Sequence, residues 1–195
     1  AGRTSAASWR LAQLDAEQWK NSALAINAQG LPRIAYSLVE RVEPYLPVLS
    51  YLECGTRDCS AGVNRMKLAI TTTAGTMSTA TFSMRLTTSG APRIALYTGT
   101  GDGGNLTPNQ LHYLSCDTSC AQQLDQWGVL DLGLPAGYGE EGVDLALDGQ
   151  NRPRIALHVP VPVDELAYAW CDTQCEGASH GWQRKLLPSA KAAEA

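Results

Sequence analysis

The chain has 195 residues, a formal net charge of -4, and 44% hydrophobic against 17% charged residues. This size can bury the core of one domain, and the composition argues against intrinsic disorder. The slight acidity argues against a dedicated nucleic-acid binder, and no apolar run reaches the roughly 18 residues of a membrane-spanning helix.

The first residues, Ala1-Gly2-Arg3-Thr4-Ser5-Ala6-Ala7, hold neither an initiator Met nor an apolar signal core, which is compatible with a mature or trimmed form. An outer strand headed by Trp9 is expected over 9–14. Asp15-Ala16-Glu17-Gln18-Trp19-Lys20 contains good helix formers and competes as a helix. Strand wins in this reading, because Leu24-Ala25-Ile26-Asn27 has strand-like counterparts at Met84-Arg85-Leu86-Thr87 and Leu145-Ala146-Leu147-Asp148.

Those counterparts belong to a threefold repeat. Pro-Arg-Ile-Ala stands at Pro32–Ala35, again 60 residues on at Pro92–Ala95, and 61 further at Pro153–Ala156. Gly30, Gly90 and Asn151 each stand two residues before the proline and suit a left-handed turn position. A strand, a tight turn and a second antiparallel strand follow from this. Downstream, Leu49-x-Tyr51, Leu111-x-Tyr113 and Leu166-x-Tyr168 alternate as a third strand. A fourth strand follows around Met66, after Trp127 and after Trp182. The expected units run over about 23–70, 83–132 and 144–187. The expected fold is all-β: three four-stranded antiparallel blade-like repeats forming part of a β-propeller, with a β-sandwich as the alternative.

Six cysteines fall in close pairs, one after each third strand: Cys54 and Cys59, Cys116 and Cys120, Cys171 and Cys175. Local disulfides in a secreted or periplasmic protein are the expected reading, with free thiols or zinc ligation as rivals.

The pattern Leu145-Ala146-Leu147-Asp148-Gly149-Gln150-Asn151-x-Pro153-Arg154-Ile155-Ala156, followed by Leu166-x-Tyr168-Ala169, resembles blades of secreted bacterial sialidase-like propellers (the BNR type). The resemblance is one of scaffold, because the Ser-x-Asp-x-Gly-x-x-Trp box of sialidases is missing. It implies architecture more than activity, since such propellers serve as glycosidases, lyases, lectins and docking modules.

Several residues are candidates for binding. Arg33, Arg93 and Arg154 share one repeat position, so a scaffold hydrogen bond or ion pair competes with a ring of arginines gripping an anion. Gly99 to Asn105 reads as an inserted flexible loop, in which Asp102 and Asn105 are weak candidates for calcium. Tyr138 lies in a loop with Glu140 and Glu141, whose adjacent carboxylates point apart. His158 reads as a packed imidazole before a base. Trp170 replaces Glu53 and Ser115 of the other repeats and is a candidate to stack on a sugar. His112 and His180 are scattered, and no paired-carboxylate, His-x-x-x-His or Gly-x-Ser-x-Gly arrangement appears.

The expected function is an exported propeller portion acting as a binding or assembly subunit, completed by a second chain or second copy, with carbohydrate as the candidate ligand. The alternative is one subunit of a split propeller glycosidase or polysaccharide lyase.

Overall fold

A computed structural model describes residues 13–14, 19–39, 47–68, 77–102, 105–133, 142–159, 165–177 and 179–187. Within them the chain is all-β and forms three four-stranded antiparallel sheets, each a meander in sequence order. The first sheet is β1 (Trp19–Ile26), β2 (Pro32–Val39), β3 (Pro47–Glu53) and β4 (Asn64–Leu68). The second is β5 (Met77–Leu86), β6 (Pro92–Asp102), β7 (Asn105–Ser115) and β8 (Gly128–Asp131). The third is β9 (Val143–Leu147), β10 (Pro153–Val159), β11 (Glu165–Cys171) and β12 (Trp182–Leu187).

The first hairpin of each sheet is built by side chains that copy a backbone turn. Asn27 Oδ1 accepts from the N–H groups of Gln29 and Leu31, and Asp148 Oδ1 accepts from those of Gln150 and Arg152. Thr87 Oγ1 accepts from Ala91 N–H in the same place. Gly30, Gly90 and Asn151 then take positive φ of 78°, 88° and 62°. The proline that follows opens the second strand.

The sheets stack face to face, with β1 against β5 and β5 against β9. In each, alternate residues turn a forward face toward the next sheet and a rear face toward the preceding one. Ala35, Leu49 and Tyr51 face forward from the first sheet onto Met84, Ile94, Leu96 and Leu114 of the second. Ala95, Leu111 and Tyr113 face forward from the second onto Leu145, Ile155 and Leu157 of the third. A smaller cluster on the rear of the first sheet joins Ile34, Tyr36, Leu52 and Cys54 to Leu14.

The glycine-rich run is a strand rather than an inserted loop. Gly99, Gly101 and Asp102 belong to β6, and Asp102 pairs with Asn105 at the hairpin tip. Alternating Thr98, Thr100 and Thr107 favour extended backbone, while a register shift between Thr98 and Thr100 takes up the irregularity at Gly99. Gly103 and Gly104 lie outside the described residues. So do residues 9–12 of the expected first outer strand; its last two residues, Gln13 and Leu14, are not in a strand. Trp19 and Lys20, from the stretch that competes as a helix, belong to β1.

Candidate functional site

The three repeat arginines perform one structural task. In each, Nη1 donates to the carbonyl of the preceding proline and to the carbonyl of the cysteine that ends the third strand. For Arg33 these distances are 3.1 and 3.3 Å, for Arg93 3.0 and 3.0 Å, and for Arg154 3.1 and 2.8 Å. Carboxylates complete each site. Arg93 Nη2 meets Asp117 at 2.7 Å and Glu176 of the third sheet's loop at 2.8 Å. Arg154 Nη2 meets Asp172 at 2.7 Å and Asp148 at 3.0 Å, while Arg33 Nε stands 3.6 Å from Glu53. These guanidinium groups clamp the start of the second strand to the end of the third.

Disulfides close the loops they hold. Cys54–Cys59, Cys116–Cys120 and Cys171–Cys175 are all bonded, and no cysteine is free among the described residues. Three disulfides fit an extracytoplasmic environment.

The remaining sequence candidates fall in different places. Arg154, His158 and Trp170 share the forward face of the third sheet, because Arg154 pairs with Trp170 and His158 with Leu166 across β10 and β11. The Trp170 ring stacks on Tyr168, with centroids 5.3 Å apart. Tyr138 lies outside the described residues. No group of three His, Cys, Asp or Glu able to hold a metal occurs among the described residues.

His112 of β7 is buried, with Nε2 3.5 Å from Thr98 Oγ1 and Nδ1 without a hydrogen-bond partner among the described residues. Burial pushes its imidazole below the ordinary value of 6.5, against the smaller opposing pull of Asp131. Above the unfolded value both states hold a neutral ring. Below it the unfolded chain takes up a proton that the folded chain resists, so stability falls as pH drops from about 6.5. The urea midpoint is therefore expected to be lower at pH ~5 than at pH ~7.5, with His112→Gln reducing the difference.

A cavity of about 290 Å³ opens between the second and third sheets, lined by Leu132, Ala169, His180, Trp182, Gln183 and Arg184. Its position follows from the packing. Trp182, at the start of β12, meets Tyr113 of the second sheet edge-on at 4.9 Å, and its Nε1 donates to Cys175 O at 3.0 Å. Arg184 Nη1 donates to Leu132 O at 3.3 Å, tying β12 to the residue after β8. His180 Nδ1 is buried and has no hydrogen-bond partner among the described residues. A cation, an imidazole and an indole thus border a space for one small ring, beside an apolar wall from Leu132 and Ala169.

Sequence reasoning missed this site. Arg184 stands in register with Arg65 of β4 and Val129 of β8, since these pair with Ala169, Leu52 and Leu114. The usable signal was the arginine that recurs at this position in Arg65 and Arg184, with Val129 as the departure.

Neither a family model nor a curated protein matches the chain. Among solved structures it is similar to a fucose lectin from Kordia zhangzhouensis, determined in complex with methyl-fucoside. The identity is 14% and the TM-score 0.53, covering 87% of this chain and 100% of that chain. At that identity the likeness is one of fold. It narrows the resemblance to sialidase-like propellers down to the shared element, repeated four-stranded antiparallel sheets.

Proposed function

We propose that the chain is a carbohydrate-binding portion of an exported β-propeller, taking a monosaccharide-sized ring in the cavity between its second and third sheets. The observation that carries the reading is the convergence of Arg184, His180 and Trp182 on one cavity of about 290 Å³. A sugar offers what that lining lacks: hydroxyls for the guanidinium and imidazole, and an apolar ring face for Trp182 and Leu132. The lectin fold of the structural neighbour supports the same class of ligand. The split-enzyme alternative draws no support from this site, where the described lining residues include no Asp or Glu, and glycoside hydrolysis ordinarily uses a pair of carboxylates.

Titration calorimetry with methyl glycosides, fucosides among them, tests the reading. Binding by the native chain is expected, and Arg184→Ala should weaken it about 10- to 100-fold through loss of charge-assisted hydrogen bonds. Thermal unfolding of the variant should change little, since Arg184 makes one described hydrogen bond. Absence of binding to any glycoside, or unchanged affinity in the variant, would remove the assignment.

A further inference from the structure

The two inner interfaces use equivalent positions, and each outermost face leaves part of that set uncovered, although Tyr36 and Leu52 on the rear of the first sheet are already buried. On the rear side, Met84 and Leu145 are 1% and 0% exposed, while Leu24, which holds the same position in the first sheet, is 62% exposed. Ile26 on the same face is also exposed. On the forward side, Leu49 and Leu111 are 2% and 0% exposed, while Leu166 of the third sheet is 46% exposed. Ala35 and Ala95 are fully buried, and their counterpart Ala156 is exposed. Each end of the stack therefore shows apolar side chains of the types that its interior covers.

The aromatic positions identify what fits. Tyr51 meets Trp127 of the next sheet at 5.2 Å, and Tyr113 meets Trp182 of the next at 4.9 Å, both edge-on. The first sheet has no tryptophan to offer at that place: the residue before β4 is Val63, which is 39% exposed. The third sheet has one more than its share, for Trp170 lies on its forward face where the other sheets carry Glu53 and Ser115. A missing indole on one end thus matches an extra indole on the other end of the same chain.

We propose that a second copy of this chain docks head to tail, its first sheet's rear face covering the third sheet's forward face. Leu24 and Ile34 of one copy pack on Ala156, Leu166 and Tyr168 of the other, and Trp170 fills the space above Val63. The outer margin of the rear face is held in the single chain by Leu14, whose carbonyl accepts from Arg65 Nη2 at 2.5 Å, as Leu132 accepts from Arg184. Leu187 at the end of β12 stands five residues after Trp182, the spacing of Leu132 after Trp127 and of Leu14 after Trp9. On docking, Leu187 of the second copy takes the place of Leu14, which gives way. Two copies bring six sheets together, within the usual size of a propeller, so both ends mate and growth stops at a dimer.

Sedimentation equilibrium of the native chain tests this, with Leu24→Lys and Leu166→Lys as variants. Both positions are exposed in the single chain, so both variants fold. The native chain is expected to dimerise, and each variant alone to do so about 30-fold or more weakly, having lost one buried leucine per interface. Mixing the two variants restores dimers, because one of the two interfaces then has both native faces. A native chain that stays monomeric, a variant that dimerises as well as the native chain, or a mixture no better than its components would each overturn the proposal. Glycoside binding is read separately, so the result does not depend on the sugar assignment.

Discussion

Trp127→Ala is expected to lower the unfolding free energy by about 3–5 kcal/mol, the range for removing a large aromatic from a core. The indole is 8% exposed and is wedged between the first two sheets. It meets the Tyr51 ring edge-on, and its Nε1 donates to Cys120 O at 2.8 Å. Alanine leaves a void against Tyr51, in the cluster that also holds Leu49 and Met84, and strips the Cys120 carbonyl of that partner. Tyr51 itself is held in place by burial, which pushes its phenol far above the ordinary value, and its hydroxyl donates to Glu53 at 3.1 Å. The matched control is Trp182→Ala. That ring has the same partner types, Tyr113 and the Cys175 carbonyl, but is only half-buried beside an open cavity. Urea unfolding of the two oxidised variants should rank Trp127 as clearly the costlier loss. Equal effects would mean that the cavity side of the second interface is as tightly packed as the first.

That contrast also shows what can be read from a repeat and what cannot. Pro-Arg-Ile-Ala, the turn residues before it and the alternating Leu and Tyr after it carried the strand order, because they answer a need common to all three sheets. The same logic placed the cysteine pairs, since a loop that follows each third strand is where a short bridge fits. The repeat arginines were legible as scaffold for this reason, although their partners, the proline and cysteine carbonyls, were not. The cavity was illegible because it is assembled from two repeat units that only the packing brings together. Leu132 comes from the second unit, Ala169 and Arg184 from the third, and no sequence spacing joins them. His180 gave no signal alone, for its meaning lies in a nitrogen that burial separates from any described partner. Gly99 and Gly101 misled by composition: their neighbours Thr98 and Thr100 and the pairing with β7 decide the backbone more strongly than glycine's own freedom does.

Reducing all three disulfides is expected to cost the fold about 6 kcal/mol, at ~2 kcal/mol for each short loop on a chain-entropy estimate. The bridges span only five, four and four positions, so each constrains little chain. Their importance lies in what the loops hold. Cys59, Ser119 and Gln174 have φ of 54°, 55° and 53°, one left-handed non-glycine residue within each bridged loop. Such a conformation is disfavoured by roughly 1–2 kcal/mol, and the covalent closure offsets it. In the same loops the carbonyls of Cys54, Cys116 and Cys171 accept from Arg33, Arg93 and Arg154. Opening a bridge therefore frees a strained turn and loosens the clamp between the second and third strands of that sheet. Since a whole domain is stable by only about 5–15 kcal/mol, the reduced chain should be marginal. Guanidinium unfolding with and without a thiol reductant, with thiols counted at each point, measures the difference. A midpoint that hardly moves once six thiols have appeared would show that the arginine clamps hold the loops unaided. The expected large drop means that the fold is stable where disulfides persist and poorly stable where they are reduced.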